Sequence, residues 1–441
     1  MEVIILGAGS SGLSAGYHLK KYGFEVALYE KEKEVGGLCR SKRYNDLIFD
    51  YGSHVSFTSD EYVKDLFAKS VNGNYEEKRV SSLDYWHGYW IEHEPQNNLH
   101  SLPKEVVKKS LIDFIHAKYE DRSEIKNYGD WCRKKFGKFF AEHFSDKYTK
   151  KFWTVNPQQL TTDWIGTRLH QPDLETVIDG ALDIPRDNRH YITTFRYPTE
   201  GGYASFLKIL ETDLDIKLKA YPTEIDLERK EVHLNTGEVK PYKILISTIP
   251  LPELIKCIKN VPTGVLDATN CLKWISLLML NFYIKRKIDT PSQWNYYYDD
   301  EIPYTRIFYM SQFAKNNAPE NCETLQVEIP YSKDKSLTVE RKELINKVVQ
   351  CIHKTENIGP NEINYLGYIN IEYGYVIYDT KRKKALETIH RFLTENGIYY
   401  CGRFGEWAYL WSDQAFLSGK RVADYFKSKK QGIYNYKNEE I

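Results

Sequence analysis

The sequence predicts an α/β fold in which a Rossmann-like dinucleotide-binding unit is joined to a helical segment and to a mixed or antiparallel β-sheet. Three observations carry that expectation. A glycine-rich loop, Gly7-Ala8-Gly9-Ser10-Ser11-Gly12, separates a short apolar run from a segment with apolar residues at helical spacing. Lys104 to Lys118 and Tyr128 to Phe152 carry amphipathic helical patterns, with Phe136, Phe139, Phe140 and Phe144 recurring on one face. From Leu272 to Tyr375 the pattern shifts toward strands rich in Tyr, Ile, Leu and Phe, interrupted by Pro291, Pro303 and Pro330.

In chain order, Glu2 to Leu6 reads as a strand, Leu13 to Tyr22 as a helix that Gly23 stops, and Phe24 to Tyr29 as a second strand ending at Glu30. In this setting the loop has a mechanical meaning. Gly7 permits the tight turn, Gly9 lets backbone approach a pyrophosphate at the helix N-terminus, Gly12 lets helix pack on strand, and Glu30 is spaced to accept a ribose hydroxyl. Ile48 to Gly52 is a further short strand. Later segments read as strands at Glu231 to Leu234 and Tyr242 to Thr248, a helix at Leu386 to Leu393, a strand at Gly397 to Cys401 and a closing helix at Gln414 to Phe426, with a charged tail after Lys427. No internal repeat or low-complexity linker interrupts this order.

The 441 residues suit two or three domains. Lys plus Arg and Asp plus Glu both number 61, so no global charge excess attracts nucleic acid or an anionic membrane, and an anionic ligand needs a local cluster. No apolar run approaches the length of a membrane span and the N-terminus lacks a basic leader, which reads as a soluble cytoplasmic chain. Seven cysteines without a C-x-x-C pair argue against a disulfide framework or structural zinc, and no metal site is expected. Without a Ser-His-Asp order, an H-E-x-x-H pair or a Walker loop, a bound cofactor has to supply the reactive centre.

NAD and FAD share the N-terminal fingerprint. The following Glu34-Val35-Gly36-Gly37-Leu38 and the short strand ending Asp50-Tyr51-Gly52 resemble the FAD-dependent amine oxidase-like superfamily. That resemblance implies FAD, with Gly36, Gly37 and Leu38 at the flavin nucleotide and the next loop, Ser53 and His54, beside the flavin ring. It also implies a discontinuous flavin domain of residues 1–75, 195–265 and 390–430, a helical substrate domain at 100–194, a β-sheet substrate domain at 76–99 and 266–389, and a disordered tail at 431–441.

Near the C-terminus, Gly402-Arg403-Phe404-Gly405-Glu406-Trp407-Ala408-Tyr409, followed by Asp413-Gln414, narrows the resemblance to the UDP-galactopyranose mutase family, in its eukaryotic-type branch. Collinear segments agree: Gln96-Asn97-Asn98 with the uridine loop, Trp153 and Trp164 to Arg168 with the helical-domain arginine segment, Phe195-Arg196-Tyr197-Pro198 with Gly201-Gly202, and Trp294-Asn295-Tyr296 with Arg306. The resemblance implies FAD contacts at Ser11, Gly402, Arg403, Asp413 and Gln414. It implies substrate contacts at Phe57, Gln96, Asn97, Trp153, Arg168, Trp294, Tyr296, Arg306, Tyr375 and Tyr409, and chemistry centred on His54, Arg168 and Arg306. Two arginines and phenolic donors suit a nucleoside diphosphate sugar, because charge-assisted hydrogen bonds neutralise it where water is excluded. The implied reaction interconverts pyranose and furanose sugars through a covalent adduct on N5 of reduced FAD, with NAD(P)H a candidate reductant, a galactofuranose donor for cell-surface polysaccharide the product, and a homo-oligomer a candidate assembly. A flavin oxidoreductase or desaturase, and a non-catalytic flavin protein, are the competing expectations.

The sequence departs from that family at identifiable places. His93-Glu94-Pro95 replaces the aromatic residues before Gln96. Thr149 and Ile192 stand where the family has asparagines that touch the sugar, which points toward a less polar sugar. Asp413 stands in place of Asn, where its charge would repel a diphosphate. Ser53 replaces a glycine, and a positive φ there would strain it.

Overall fold

A computed structural model describes residues 2–119, 123–166, 168–169, 171–184 and 193–431. Ile192 and the tail beyond Gln431 lie outside the described residues.

The first strand, Glu2–Leu6, is apolar from Val3 to Leu6 and sits at the centre of a parallel sheet, as a strand buried on both faces must. Among the described residues that sheet has five strands in the order Ile398–Tyr400, Ile244–Ser247, Glu2–Leu6, Glu25–Glu30 and Asp215–Leu218. The helix Ser10–Lys21 packs along the closing helix Ser412–Lys430, so the two ends of the chain meet over the sheet. Both helices run slightly longer than the apolar spacing suggests, because their ends are polar turns.

The second sheet has seven strands among the described residues, ordered Asn364–Val376, Trp274–Ile284, Glu323–Tyr331, Arg306–Phe308, Trp294–Tyr297, Ser82–Trp86 and Tyr89–Glu92. All neighbours are antiparallel except Trp294–Tyr297 with Ser82–Trp86, which makes the sheet mixed. Pro330 does not interrupt it. It pairs opposite Leu277 inside Glu323–Tyr331, while the neighbouring strand on the other side reaches only Glu328, so the missing amide faces no partner there. The helix Arg341–Glu356 also lies within the region read as strands. Its buried Leu344, Val348 and Ile352 join Phe282, Tyr304 and Val327 in a core on one face of the sheet, while the larger core occupies the other face.

Lys104–Tyr119 is helical as its spacing predicts, but Tyr128 to Phe152 is not one helix. Tyr128–Phe136 ends at Gly137, whose φ is +83° and whose Cβ, if present, would lie 2.6 Å from the Asp113 carbonyl carbon. The chain there needs both the left-handed conformation and the close approach to the neighbouring helix. It resumes through Lys138–Phe140, a π turn at Ala141–Ser145 and Asp146–Phe152. Among the described residues no helix is long and apolar enough to cross a membrane, and no cluster of three His, Cys, Asp or Glu side chains could hold a metal ion.

Candidate functional site

The glycine loop turns from the first strand into the N-terminus of Ser10–Lys21. Gly12 is required there, since a Cβ would lie 2.1 Å from the Gly7 carbonyl oxygen. Gly9 occupies the N-cap with no side-chain cap, and no acid stands in the first turn, so the helix dipole is left for an anion. Gly36 reaches this loop, its amide donating to the Ala8 carbonyl at 2.8 Å, and Gly37 follows in a short turn with Leu38. The buried Glu30 carboxylate accepts from the Ala8 amide at 2.7 Å and the Glu32 amide at 2.9 Å, which orients it and leaves lone pairs for a hydroxyl. Ser11 packs against Gly402, where a Cβ would come within 2.1 Å of its Oγ. An uncapped helix N-terminus, a glycine cradle and an oriented acid fit the pyrophosphate and ribose of FAD.

Beside this cradle opens a cleft of about 120 Å³. Of the residues expected from the sequence, Leu38, Ser53, His54, Phe57, Trp294, Tyr296, Arg306, Tyr375, Arg403 and Tyr409 line it. They arrive from three strands of the seven-stranded sheet, from the turn at Leu38 and the loop Ser53 to Phe57, and from the segment before the closing helix. Asp50 anchors the Ser53-His54 loop: its fully buried carboxylate accepts from Ser41 Oγ at 2.6 Å, Tyr197 OH at 2.8 Å and the Tyr203 amide at 3.2 Å. Burial nevertheless pushes its pKa up to about 6 against those donors. The positive φ of the loop falls on Gly52, at +78°, and Ser53 is not among the residues with positive φ. The serine is therefore unstrained, and the glycine that the turn requires is still present one position earlier.

His54 Nδ1 lies 2.6 Å from the Gly52 carbonyl, a contact that requires Nδ1 to donate and leaves Nε2 as an acceptor. Burial, then Arg403 and Arg306, lower its pKa to about 4, so the ring is neutral at pH 7. It lies 5.4 Å from the Tyr203 ring.

The arginines differ in how much of each is available. Arg306 Nε donates to Glu328 Oε1 at 2.8 Å, and its Nη2 to Glu328 Oε2 at 2.7 Å and Tyr375 OH at 3.1 Å. Its Nη1 hydrogens remain, and Phe308 lies beneath the guanidinium at 4.9 Å. Arg403 donates to the carbonyls of Leu410 and Gly374, a structural role at the cleft wall. Arg168 stacks on Tyr409 at 4.8 Å and Trp411 at 4.6 Å, and its Nη2 donates to the Tyr409 carbonyl. Its Nε is buried with no hydrogen-bond partner among the described residues. Arg306 and Arg403 line the cleft whereas Arg168 stands behind Tyr409 and Trp411, and Glu328 offsets Arg306, so the cleft is less positive than three arginines suggest. Burial raises the Tyr296 phenol to about 12, so it stays a protonated donor.

Other expected residues sit at a distance from the cleft wall. Gln96 donates to Glu94 Oε2 at 2.7 Å, and Asn97 belongs to a short turn packed on the helix Leu174–Ala181. Neither lines the cleft. Gln414 Oε1 caps the closing helix by accepting from the Trp411 amide at 2.9 Å, and Asp413 stands in its first turn. Trp153 backs the wall, edge-on to Tyr409 at 5.7 Å. Thr149 turns its hydroxyl onto the Ser145 carbonyl at 2.6 Å, as helical threonines do, and contributes no polar contact to the wall.

Sequence reasoning missed Trp411, Phe308, Glu328 and the pair Asp84–His93. His93 Nδ1 lies 3.0 Å from the fully buried Asp84, and its ring stacks on Tyr296 at 4.4 Å. Burial opposes its protonation, yet Asp84 outweighs burial and raises the pKa. The alternation Leu325, Val327, Ile329, which sets Glu328 on the opposite face of a strand with Gln326, was the signal available for Glu328.

Residues 5–70 match the NAD(P)-binding Rossmann-like domain family. A crystal structure of reduced UDP-galactopyranose mutase superposes with a TM-score of 0.91 at 26% identity, covering 99% of this chain and 96% of that one. A putative protoporphyrinogen oxidase from Exiguobacterium sp. 255-15 superposes with a TM-score of 0.76 at 14% identity, covering 97% and 99%, which is a likeness of fold. Among curated proteins, protoporphyrinogen oxidase 2 of Arabidopsis thaliana is 25% identical over 175 residues, covering 36% of this chain and 34% of that protein. A 4,4'-diapophytoene desaturase of Staphylococcus aureus (strain COL) is 30% identical over 95 residues, covering 21% and 18%. The chain thus spans about a third or less of the length of these curated relatives.

Proposed function

We propose that this chain is an FAD-dependent nucleotide-sugar mutase that interconverts pyranose and furanose forms of a nucleoside diphosphate hexose. The observation that carries the reading is one cleft in which Arg306 and its phenolic neighbours face His54 beside a dinucleotide cradle, within a fold shared along almost the whole chain with UDP-galactopyranose mutase. The collinear motifs of the eukaryotic-type branch agree with it. Reduced FAD, when bound, supplies the nucleophile for the anomeric carbon, and the redox state of the protein does not change over a turnover.

The protein's part is to hold the leaving diphosphate close enough to return. The Arg306 Nη1 hydrogens and the Tyr375 and Tyr296 hydroxyls are the donors that face it, and each charge-assisted bond contributes roughly 1.5–3 kcal/mol. Retention of the diphosphate makes its recapture effectively unimolecular. Phe57, Trp294 and Phe308 exclude water, which strengthens those contacts. Neutral His54 presents an acceptor rather than a charge.

UDP-galactose is the default donor. The wall formed by Leu277, Phe308 and Ile371, with the Thr149 hydroxyl turned away, supports a less polar sugar such as a deoxyhexose. The test is incubation of anaerobically dithionite-reduced protein with UDP- and dTDP-hexoses, with chromatography for furanose products. If every donor returns unchanged while the flavin is verified as reduced, the mutase reading fails for that panel. The partial similarity to an oxidase and a desaturase favours a second reading, an FAD-dependent oxidoreductase, which predicts oxygen consumption with a hydride donor instead.

A further inference from the structure

The segment from Lys150 to Asn156 has two faces. Phe152 and Trp153 turn toward the cleft, where Phe152 lies 5.0 Å from the Tyr375 ring and 5.5 Å from the Arg306 guanidinium. Lys150, Lys151, Thr154 and Asn156 instead line a separate groove of about 710 Å³, open to solvent and bounded by residues 300–303, the end of Glu323–Tyr331, the following loop and the start of Arg341–Glu356.

The chemistry of this groove is cationic. Lys150, Lys151, Lys335 and Lys347 line it, together with the carboxylates of Asp300, Asp334 and Glu343. Asp300 is held by Lys147 and Asp334 by Lys273, two cations outside the lining. Among the described residues Lys150, Lys335 and Lys347 form no ion pair, so the groove keeps a positive surplus. Its base adds a buried amine. Lys151 is 5% exposed, and its Nζ donates to the Tyr297 carbonyl at 2.7 Å and the Asp299 carbonyl at 2.9 Å, which leaves the third position on the nitrogen unused, a lone pair in the neutral form and a hydrogen in the charged one. Beside it Thr154 has a φ of +60°, an uncommon state for a β-branched residue, fixed by its Oγ1 donating to Ser332 Oγ at 2.7 Å. The floor is apolar, made by Val155, Ile302, Ile329 and Leu344, with Leu337 and Val339 exposed at the rim. Unpaired ammonium groups over an apolar floor suit an anion that carries an apolar body.

We propose that this groove is a second ligand site, for a small organic phosphate, in which Lys151 is the buried contact and Lys335 and Lys347 hold the phosphate from the rim. The assignment stands independently of the mutase reading. Lys151 gives it a distinctive signature. Burial, then Lys335, lower its pKa to about 7 against the opposing carboxylates Asp299 and Asp300 and the nearby Cys351, so a bound dianion draws a proton onto the amine.

The test is isothermal titration of the flavin-loaded protein at pH 8 with UMP, AMP and inorganic phosphate, in buffers of different ionisation enthalpy. The proposal predicts a nucleotide site that persists in Arg306→Ala, takes up protons, and weakens at least tenfold in the surface double variant Lys335→Glu/Lys347→Glu. Lys151→Met should abolish the proton uptake. Absence of binding in Arg306→Ala, unchanged affinity in the double variant, or proton uptake undiminished in Lys151→Met would each overturn it. Equal affinity for inorganic phosphate and the nucleotides would overturn the organic ligand class.

Discussion

Replacing Glu328 with Gln separates the two jobs of Arg306. Glu328 is 1% exposed and accepts from Arg306 Nε and Nη2 and from Thr305 Oγ1 at 2.9 Å. Glutamine keeps the shape, but it removes the negative charge and turns an amide group toward one guanidinium nitrogen. A buried pair broken on one side costs about 3–5 kcal/mol of stability, and retention of one acceptor places this variant near the lower figure. Ligand binding should move the other way. A phosphate on the Nη1 hydrogens would sit roughly 7 Å from the lost carboxylate, and at an effective dielectric of about 20 that repulsion is worth roughly 2 kcal/mol. Nucleoside diphosphate affinity should therefore rise about thirtyfold, by titration calorimetry, while urea denaturation shows the loss of stability. Unchanged or weaker diphosphate binding in a folded Glu328→Gln protein would refute the assignment of Arg306 as the diphosphate contact.

Three further outcomes follow from the same geometry. Gly12→Ala forces the loop and helix apart and should cost about 1–3 kcal/mol of stability along with flavin content, read from the flavin-to-protein absorbance ratio. His54 has a folded pKa of about 4, below its unfolded value, so the unfolded state binds the proton first. Its contribution is present above pH 6.5, is lost progressively as pH falls from there toward 4, and amounts to about 3 kcal/mol; denaturation of His54→Leu should lack that part of the acid slope. Arg168→Lys loses the planar stack on Tyr409 and Trp411 and should weaken diphosphate binding by about tenfold, with stability changed by less than about 1 kcal/mol in the same titrations and melts.

The parallel sheet was legible because its grammar is local. The apolar run Val3 to Leu6, the glycine turn and Glu30 lie within one supersecondary unit, and the return strand Ile244–Ser247 shows itself by its own apolar run. The cleft was legible through Trp294, Tyr296, Arg306, Tyr375 and Tyr409, but only by resemblance, since single tyrosines in a chain with 35 of them carry little signal alone. What escaped was non-local. Gly137 breaks a helix because of a neighbour 24 positions earlier, at Asp113, which no periodicity records. The helix Arg341–Glu356 was obscured by the strand-rich sequence on either side. Glu328 meets Arg306 only because two strands pair at that register, and the same pairing decides how much of the arginine remains for a ligand.

The central claim is that this cleft acts on a nucleotide sugar through a flavin that must be reduced and is not consumed. The most direct measurement follows one sample of flavin-loaded protein and its best nucleotide-hexose donor by NMR, first oxidised, then reduced without oxygen, then reoxidised, with oxygen uptake recorded in the last stage. A mutase gives furanose signals in the reduced stage alone, over many turnovers per flavin. Furanose formation independent of redox state, or oxygen consumption matched by oxidation of the donor, would contradict it.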